Sequence, residues 1–171
     1  MELTFKKLQK QDLPFLQSLF TDKQITKYLP ELLVDLESLE KWYTLLNETD
    51  NEYIICIDGQ YIGECNLTVH DNNEGEIGFV IVPECWRMGY GTKTVEFLLT
   101  KAEEHNMQSV EAVCDKRNAV AQHILEKNGF RKFGDGALFQ ILNENTTDIE
   151  KQYELQILKK NLKISRRILV T

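Results

Sequence analysis

Long apolar runs are missing from this chain. The best of them, Tyr53-Ile54-Ile55-Cys56-Ile57, stops at Asp58, far short of the ~18 residues that a membrane span needs. Proline and glycine are scarce, 3 and 9 of 171 residues, which sets aside collagen-like and low-complexity classes. The four cysteines, Cys56, Cys65, Cys85 and Cys114, form no Cys-x-x-Cys pair, and His70, His105 and His123 stand at no metal-ligand spacing beside them. A zinc site is therefore not expected, and cysteines in apolar strand-like runs are expected to pack as small hydrophobes. Positive charge is the minority, with 20 Lys and Arg against 27 Asp and Glu and a net charge of −7. That balance argues against direct nucleic-acid binding and weakly favours amine-bearing partners. The alternating N-terminus lacks the apolar core of a signal peptide, so a cytoplasmic protein with no membrane partner is expected.

What the chain does contain is a hydrophobic period that changes along its length. Residues 2–8 alternate as a strand. Asp12-Leu13-Pro14 reads as an N-cap with proline in the first helical turn, and Leu13, Leu16, Leu19 and Phe20 share one stripe. A second short helix is expected over 22–28. A third starts at Asp35, where Leu36, Leu39, Tyr43 and Leu46 repeat at three and four. Residues 52–82 read as an antiparallel meander of three strands, with an Asp58-Gly59 turn and Pro83 as terminator. A helix over 92–105 and a strand over 109–115 follow. The next helix is capped by Asn118 and closed at Asn128-Gly129. Strands near 137–142 and 151–158 complete the list, and the last dozen residues are either an extra element or a tail. The order β-α-α-β-β-β-α-β-α-β-β predicts one α/β domain over 1–171, with a mixed, mostly antiparallel sheet flanked by helices.

The informative stretch is strand 76–82, loop 83–91 and the helix after it. A helix N-terminus leaves up to four N–H groups unpaired and carries about half a positive charge. Glycines just before it let phosphate oxygens approach the main chain. Gly89 and Gly91 are so placed, with Arg87 or Lys93 to add charge. Two nucleotide motifs fail. Gly91-Thr92-Lys93-Thr94 brings the lysine of a Walker loop one residue late, and the third glycine of a dinucleotide fingerprint is absent. An ATP enzyme is therefore not expected, and a tight strand-to-helix turn without a ligand remains the alternative.

The longer context is more specific. Residues 76–92, Glu76-Ile77-Gly78-Phe79-Val80-Ile81-Val82-Pro83-Glu84-Cys85-Trp86-Arg87-Met88-Gly89-Tyr90-Gly91-Thr92, closely resemble the acetyl-CoA-binding segment of the GNAT superfamily of N-acetyltransferases. They look most like the branch of ribosomal-protein N-terminal acetyltransferases. Asn118-Ala119-Val120-Ala121-Gln122-His123-Ile124-Leu125-Glu126-Lys127-Asn128-Gly129-Phe130 is similar to the downstream helix of that family.

The resemblance implies that main-chain amides of Arg87, Met88, Gly89, Tyr90, Gly91 and Thr92 hold the CoA pyrophosphate. Ile81 and Val82 would lie along the pantetheine arm, with Asn118 facing it and a main-chain N–H near Val82 polarising the thioester. Glu76 matches the position of a general base in several members, and His70 and Glu74 are fallbacks. Tyr153 is a further residue that could reach the same cleft. The chain departs from the family at Leu125 and Ala121, where a tyrosine or a serine that could protonate the leaving thiolate is common. The implied activity is direct acetyl transfer from acetyl-CoA, without a metal, to a primary amine. The amine is a peptide N-terminus or a small amine such as a polyamine, an aminoglycoside or an amino-acid derivative. A non-catalytic acyl-CoA-binding module is the rival. Acceptor contacts are expected from residues 22–48 and 137–158, with Asp22, Glu31, Asp35 and Asp148 suiting a cation. Monomer and homodimer remain open.

Overall fold

The computed structural model describes residues 1–163 except 30–34, 47–50, 144 and 147. Its strands are β1 (Leu3–Lys7), β2 (Asn51–Ile57), β3 (Gln60–Val69), β4 (Glu74–Ile81), β5 (Ser109–Asp115), β6 (Arg131–Leu142) and β7 (Ile149–Asn161). Its α-helices are α1 (Leu13–Thr21), α2 (Leu36–Leu45), α3 (Tyr90–Glu104) and α4 (Ala119–Lys127). The strands form one sheet in the order β1-β2-β3-β4-β5-β7-β6. Every neighbouring pair is antiparallel except β4 and β5. This is the mixed, mostly antiparallel α/β architecture that the sequence predicts.

Strand side chains alternate between faces, and each face buries its own core. Ile55, Cys65, Leu67, Ile77, Val110 and Ala112 pack against Val95, Leu98 and Ala102 of α3 and Leu125 of α4. On the other face Ile54 and Cys56 pack against Leu13 and Leu16 of α1 and Leu39 of α2. The helices therefore flank the sheet because each carries one apolar stripe. Local chemistry sets several ends as expected. Asp58 and Gly59 take positive φ at the β2–β3 turn, as does Gly129 after α4, and Asp35 caps α2 by accepting from the Ser38 N–H at 2.7 Å.

Four expectations are corrected. Residues 22–28 form turns, not a helix. The Asp22 carboxylate accepts from the N–H groups of Gln24 and Ile25 as a helix cap does, and the Thr26 N–H bonds the Asp22 carbonyl at 2.9 Å, but so short a stretch does not propagate a helix. Asp12 does not cap α1 with its side chain. It is buried, accepts from the Gln9 N–H at 2.9 Å, and binds Lys6 and the Tyr61 hydroxyl at 2.8 Å each. Strand β6 begins six residues before the expected 137, at Arg131, and carries register shifts along its pairing with β7. Strand β7 runs on to Asn161. Residues 164–171, Glu31 and the rest of the acceptor segment at 30–34 and 47–48 lie outside the described residues.

Candidate active site

The sheet splits in the middle. Parallel pairing of β4 and β5 covers only Glu74–Ser109 through Ile77–Ala112, whereas β4 stays paired with β3 as far as Ile81. Below the split the two strands are clamped: Lys159 of β7 reaches Glu74 at 2.8 Å and Glu111 at 3.2 Å. The hydrogen bond from Lys159, with others from Ser109 and Asn72, holds the Glu74 carboxyl below its usual range. Above the split, β4 and β5 diverge with main-chain groups directed into the gap. The Val82 N–H points the other way, to the Ile62 carbonyl at 2.8 Å. By alternation the groups of Phe79 and Ile81 face the gap, and the Ile81 carbonyl accepts from the Trp86 indole at 2.7 Å. The Val82 N–H is thus already committed, which removes it as a thioester donor.

Loop 82–89 carries the chain from β4 to α3. Arg87 and Gly89 both adopt positive φ, +61° and +83°. Gly89 is the N-cap of the fifteen-residue α3, and no side chain caps that end. The first-turn amides are therefore open to an anion. The two glycines differ in kind. A Cβ on Gly89 would meet nothing within 4 Å, whereas one on Gly91 would stand 2.8 Å from the Ile124 Cδ1. Gly89 serves the turn and leaves space in front of it; Gly91 serves the packing of α3 on α4.

Asn118 caps α4, its Oδ1 accepting from the Ala121 N–H at 3.1 Å, so any ligand contact falls to its Nδ2. Leu125 is 1% exposed and belongs to the core cluster that includes Val95 and Leu98 of α3. At the top of β5 the buried Asp115 accepts from Arg117 Nε and Nη2 at 2.8 and 3.0 Å. Burial pushes its carboxyl up, but those bonds and the Arg117 N–H outweigh it and hold it below its usual range.

Tyr153 is also buried, and its hydroxyl donates to the Thr26 carbonyl at 2.9 Å. That bond shows how the opening is covered. Helix α1 packs on β2 and β3, and Thr26 is tied to β7, so residues 22–26 cross above β4 and β5 on the α1–α2 face. Glu76 lies on that face by register, exposed, with His70 Nε2 at 4.0 Å. Of the acids expected to receive a cation, Asp22 and Asp35 are spent on turns and caps. Register instead puts Glu64, Glu76, Glu111 and Asp115 on the covered face. Glu64 was missed, although a carboxylate inside the apolar run Ile62 to Leu67 was the available signal. Elsewhere, a hollow of about 440 Å³ lined by Lys10, Leu13, Pro14 and Glu40 lies beside α1 and α2 and contains none of these groups. Among the described residues no helix is long and apolar enough to cross a membrane.

The split of the sheet and the uncapped start of α3 both fall within one matched segment of the chain. Residues 2–131 match the family described as the acetyltransferase (GNAT) domain, and the chain belongs to that family, as an N-acetyltransferase with acetyl-CoA as donor. It is 23% identical over 143 residues to the uncharacterized N-acetyltransferase p20 of Bacillus licheniformis, covering 77% of this chain and 80% of that one. The fold is similar to spermidine N-acetyltransferase from Vibrio cholerae in complex with CoA and spermine, at a TM-score of 0.75 and 19% identity over 93% of this chain and 95% of that one. It is also similar to ribosomal-protein-alanine N-acetyltransferase from Brucella melitensis, at 0.72 and 18% over 93% and 99%.

Proposed function

We propose that the protein, a single domain, transfers acetyl from acetyl-CoA to a cationic primary amine. The amine enters the split sheet from the α1–α2 face while CoA approaches from the side of α3. The observation that carries this reading is the divergence of β4 and β5 past Ile77–Ala112, next to an α3 start that no side chain caps. In this reading the amides of Arg87, Met88, Gly89, Tyr90, Gly91 and Thr92 bind the pyrophosphate. The groups of Phe79 and Ile81 that face the gap take the amides of the pantetheine arm, beside Val82 and the Nδ2 of Asn118. Bound there, acetyl-CoA supplies an activated thioester.

The acceptor must lose a proton, because an amine of pKa about 10 is mostly protonated at neutral pH. Glu76, exposed at the rim with His70 beside it, is the carboxylate that meets the incoming ammonium. With no hydroxyl at Ala121 or Leu125, the thiolate takes its proton from the attacking nitrogen or from water. The acidic covered face and the spermidine enzyme among the similar folds favour a polyamine-like acceptor. The Brucella fold and the branch resemblance favour a peptide N-terminus. Either amine belongs to the cytoplasm, where we place the protein. Calorimetry with acetyl-CoA and thiol release over an amine panel test the reading. Heat of binding with turnover on spermidine or on an alanine-first peptide is the expected result; no heat at saturating acetyl-CoA overturns it.

A further inference from the structure

Glu64 sits in the middle of β3, opposite Ile54 of β2 and Val80 of β4, and is only 8% exposed. Register turns it toward the α1–α2 face. On its β2 side Ile54 is wholly buried, whereas Val80, Gly78 and Asn66 are half-buried. Its access to water therefore comes from β4, the strand that borders the split. Asn66 lies over Gly78, its amide 3.1 Å from where a Cβ there would stand, so Glu64 and Asn66 form a polar strip on β3 about 5 Å from their partners on β4, the strand that walls the gap. Residues 22–26 cross above that gap on the same face. Burial, opposed by a hydrogen bond with Asn66, pushes the Glu64 carboxyl up to about 7.

The surrounding charges do not supply a cation. On β1 Lys6 is bound to Asp12, and on β5 Asp115 is bound to Arg117. Glu52 on β2, Glu76 on β4 and Glu111 on β5 are acids on the same face. Helix α1 carries no ionisable side chain, and residues 22–28 add Asp22, Lys23, Lys27 and Tyr28, of which Asp22 is held in its turn. No charged side chain sets the state of the Glu64 carboxyl, which is governed by burial against the hydrogen bond with Asn66; Lys27 lies over the Tyr28 ring and Lys159 is paired with Glu74 and Glu111.

The geometry points to Glu64 as the proton acceptor for the amine that reaches the split from the α1–α2 face, deeper in the site than Glu76; this rests on the acceptor side proposed above. The ammonium gives one proton to the Glu64 carboxylate and becomes a free amine. Its nitrogen forms a bond to the acetyl carbon, the C–S bond breaks with its electron pair going to sulfur, and the second nitrogen proton passes to the thiolate. Glu64 then returns its proton to water. Net, an ammonium and acetyl-CoA give an acetamide, CoA thiol and one proton.

The test uses the full chain with spermidine and an alanine-first tetrapeptide as probe amines. Glu64→Gln is expected to lower kcat about 100-fold and to abolish the rise of rate centred near pH 7, with the acetyl-CoA Kd unchanged. Glu64→Asp restores part of the rate. In the CoA-loaded protein, the ¹³C-carboxyl resonance lost in Glu64→Gln should titrate near 7 and move to lower pH when a probe amine binds. A variant with the wild-type pH profile, or a Glu64 resonance indifferent to both amines, overturns the assignment while the acetyl-CoA site stands. Failure of the wild-type protein to bind acetyl-CoA overturns the site and this role together.

Discussion

A buried carboxyl that ionises near neutrality has a stability signature. The Glu64 carboxyl is raised from 4.5 to about 7, so the folded state holds its proton more tightly than the unfolded chain does. Below pH 4.5 both states are protonated and nothing is lost. The penalty grows through the interval and is complete above pH 7, at roughly 3 kcal/mol. Glu64→Gln should therefore be more stable than wild type at pH 8 by up to ~3 kcal/mol and gain almost nothing at pH 4, read by urea unfolding. The glycines before and within α3 give a second contrast. Gly89→Ala, forced to keep a φ of +83° and filling open space, should weaken acetyl-CoA binding about tenfold, at a conformational cost of about 1 kcal/mol. Gly91→Val should instead overpack Ile124 and cost about 2 kcal/mol of stability. Sequence made Gly89 and Asn118 legible because a positive-φ cap and a helix N-cap are decided within a few residues. It did not separate the roles of Gly89 and Gly91, because Ile124 approaches from another helix. Glu64 escaped for the same reason: its burial depends on what β4 and α1 bring to it.

Among the elements, the β4–β5 pair decides whether there is an opening at all. Four residue pairs hold it, and Lys159 cross-links its lower end to β7. Lys159→Met leaves Glu74 and Glu111 facing each other beside Glu76. Glu74 is held below its usual range by Lys159, so its contribution is present above the unfolded carboxylate pKa and lost as pH falls through the lowered one. The variant should lose stability at pH 7, lose less at pH 4, and exchange amide hydrogens faster at residues 74–77 and 109–112. The meander over 52–82 and the two later helices were readable from period and turn chemistry. Residues 22–28 were not, because the turn that Asp22 caps is too short to propagate as a helix and Thr26 is tied across to Tyr153.

For the molecule as a whole, the net charge of −7 acts in opposite directions on the two substrates. On the proposed function a cationic acceptor is drawn toward the face carrying Glu64, Glu76 and Glu111, and acetyl-CoA is repelled except at the proposed site at the start of α3. Raising ionic strength from about 10 to 150 mM shortens the screening length from roughly 30 to 8 Å. The KM for spermidine should rise several-fold and that for acetyl-CoA should fall or stay level, in steady-state rates at fixed pH.

The lip of the gap also carries its own reporter. Of the two tryptophans in the chain, Trp42 packs beside α1, while Trp86 is 44% exposed with its indole fixed on the Ile81 carbonyl. On the proposed path of the pantetheine arm, a fluorophore anchored at that spot would register its arrival as a change in polarity and quenching. Unlabelled protein should therefore show a saturable shift in emission on loading, lost in Trp86→Phe and kept in Trp42→Phe, which makes occupancy of the site measurable before any acceptor is known.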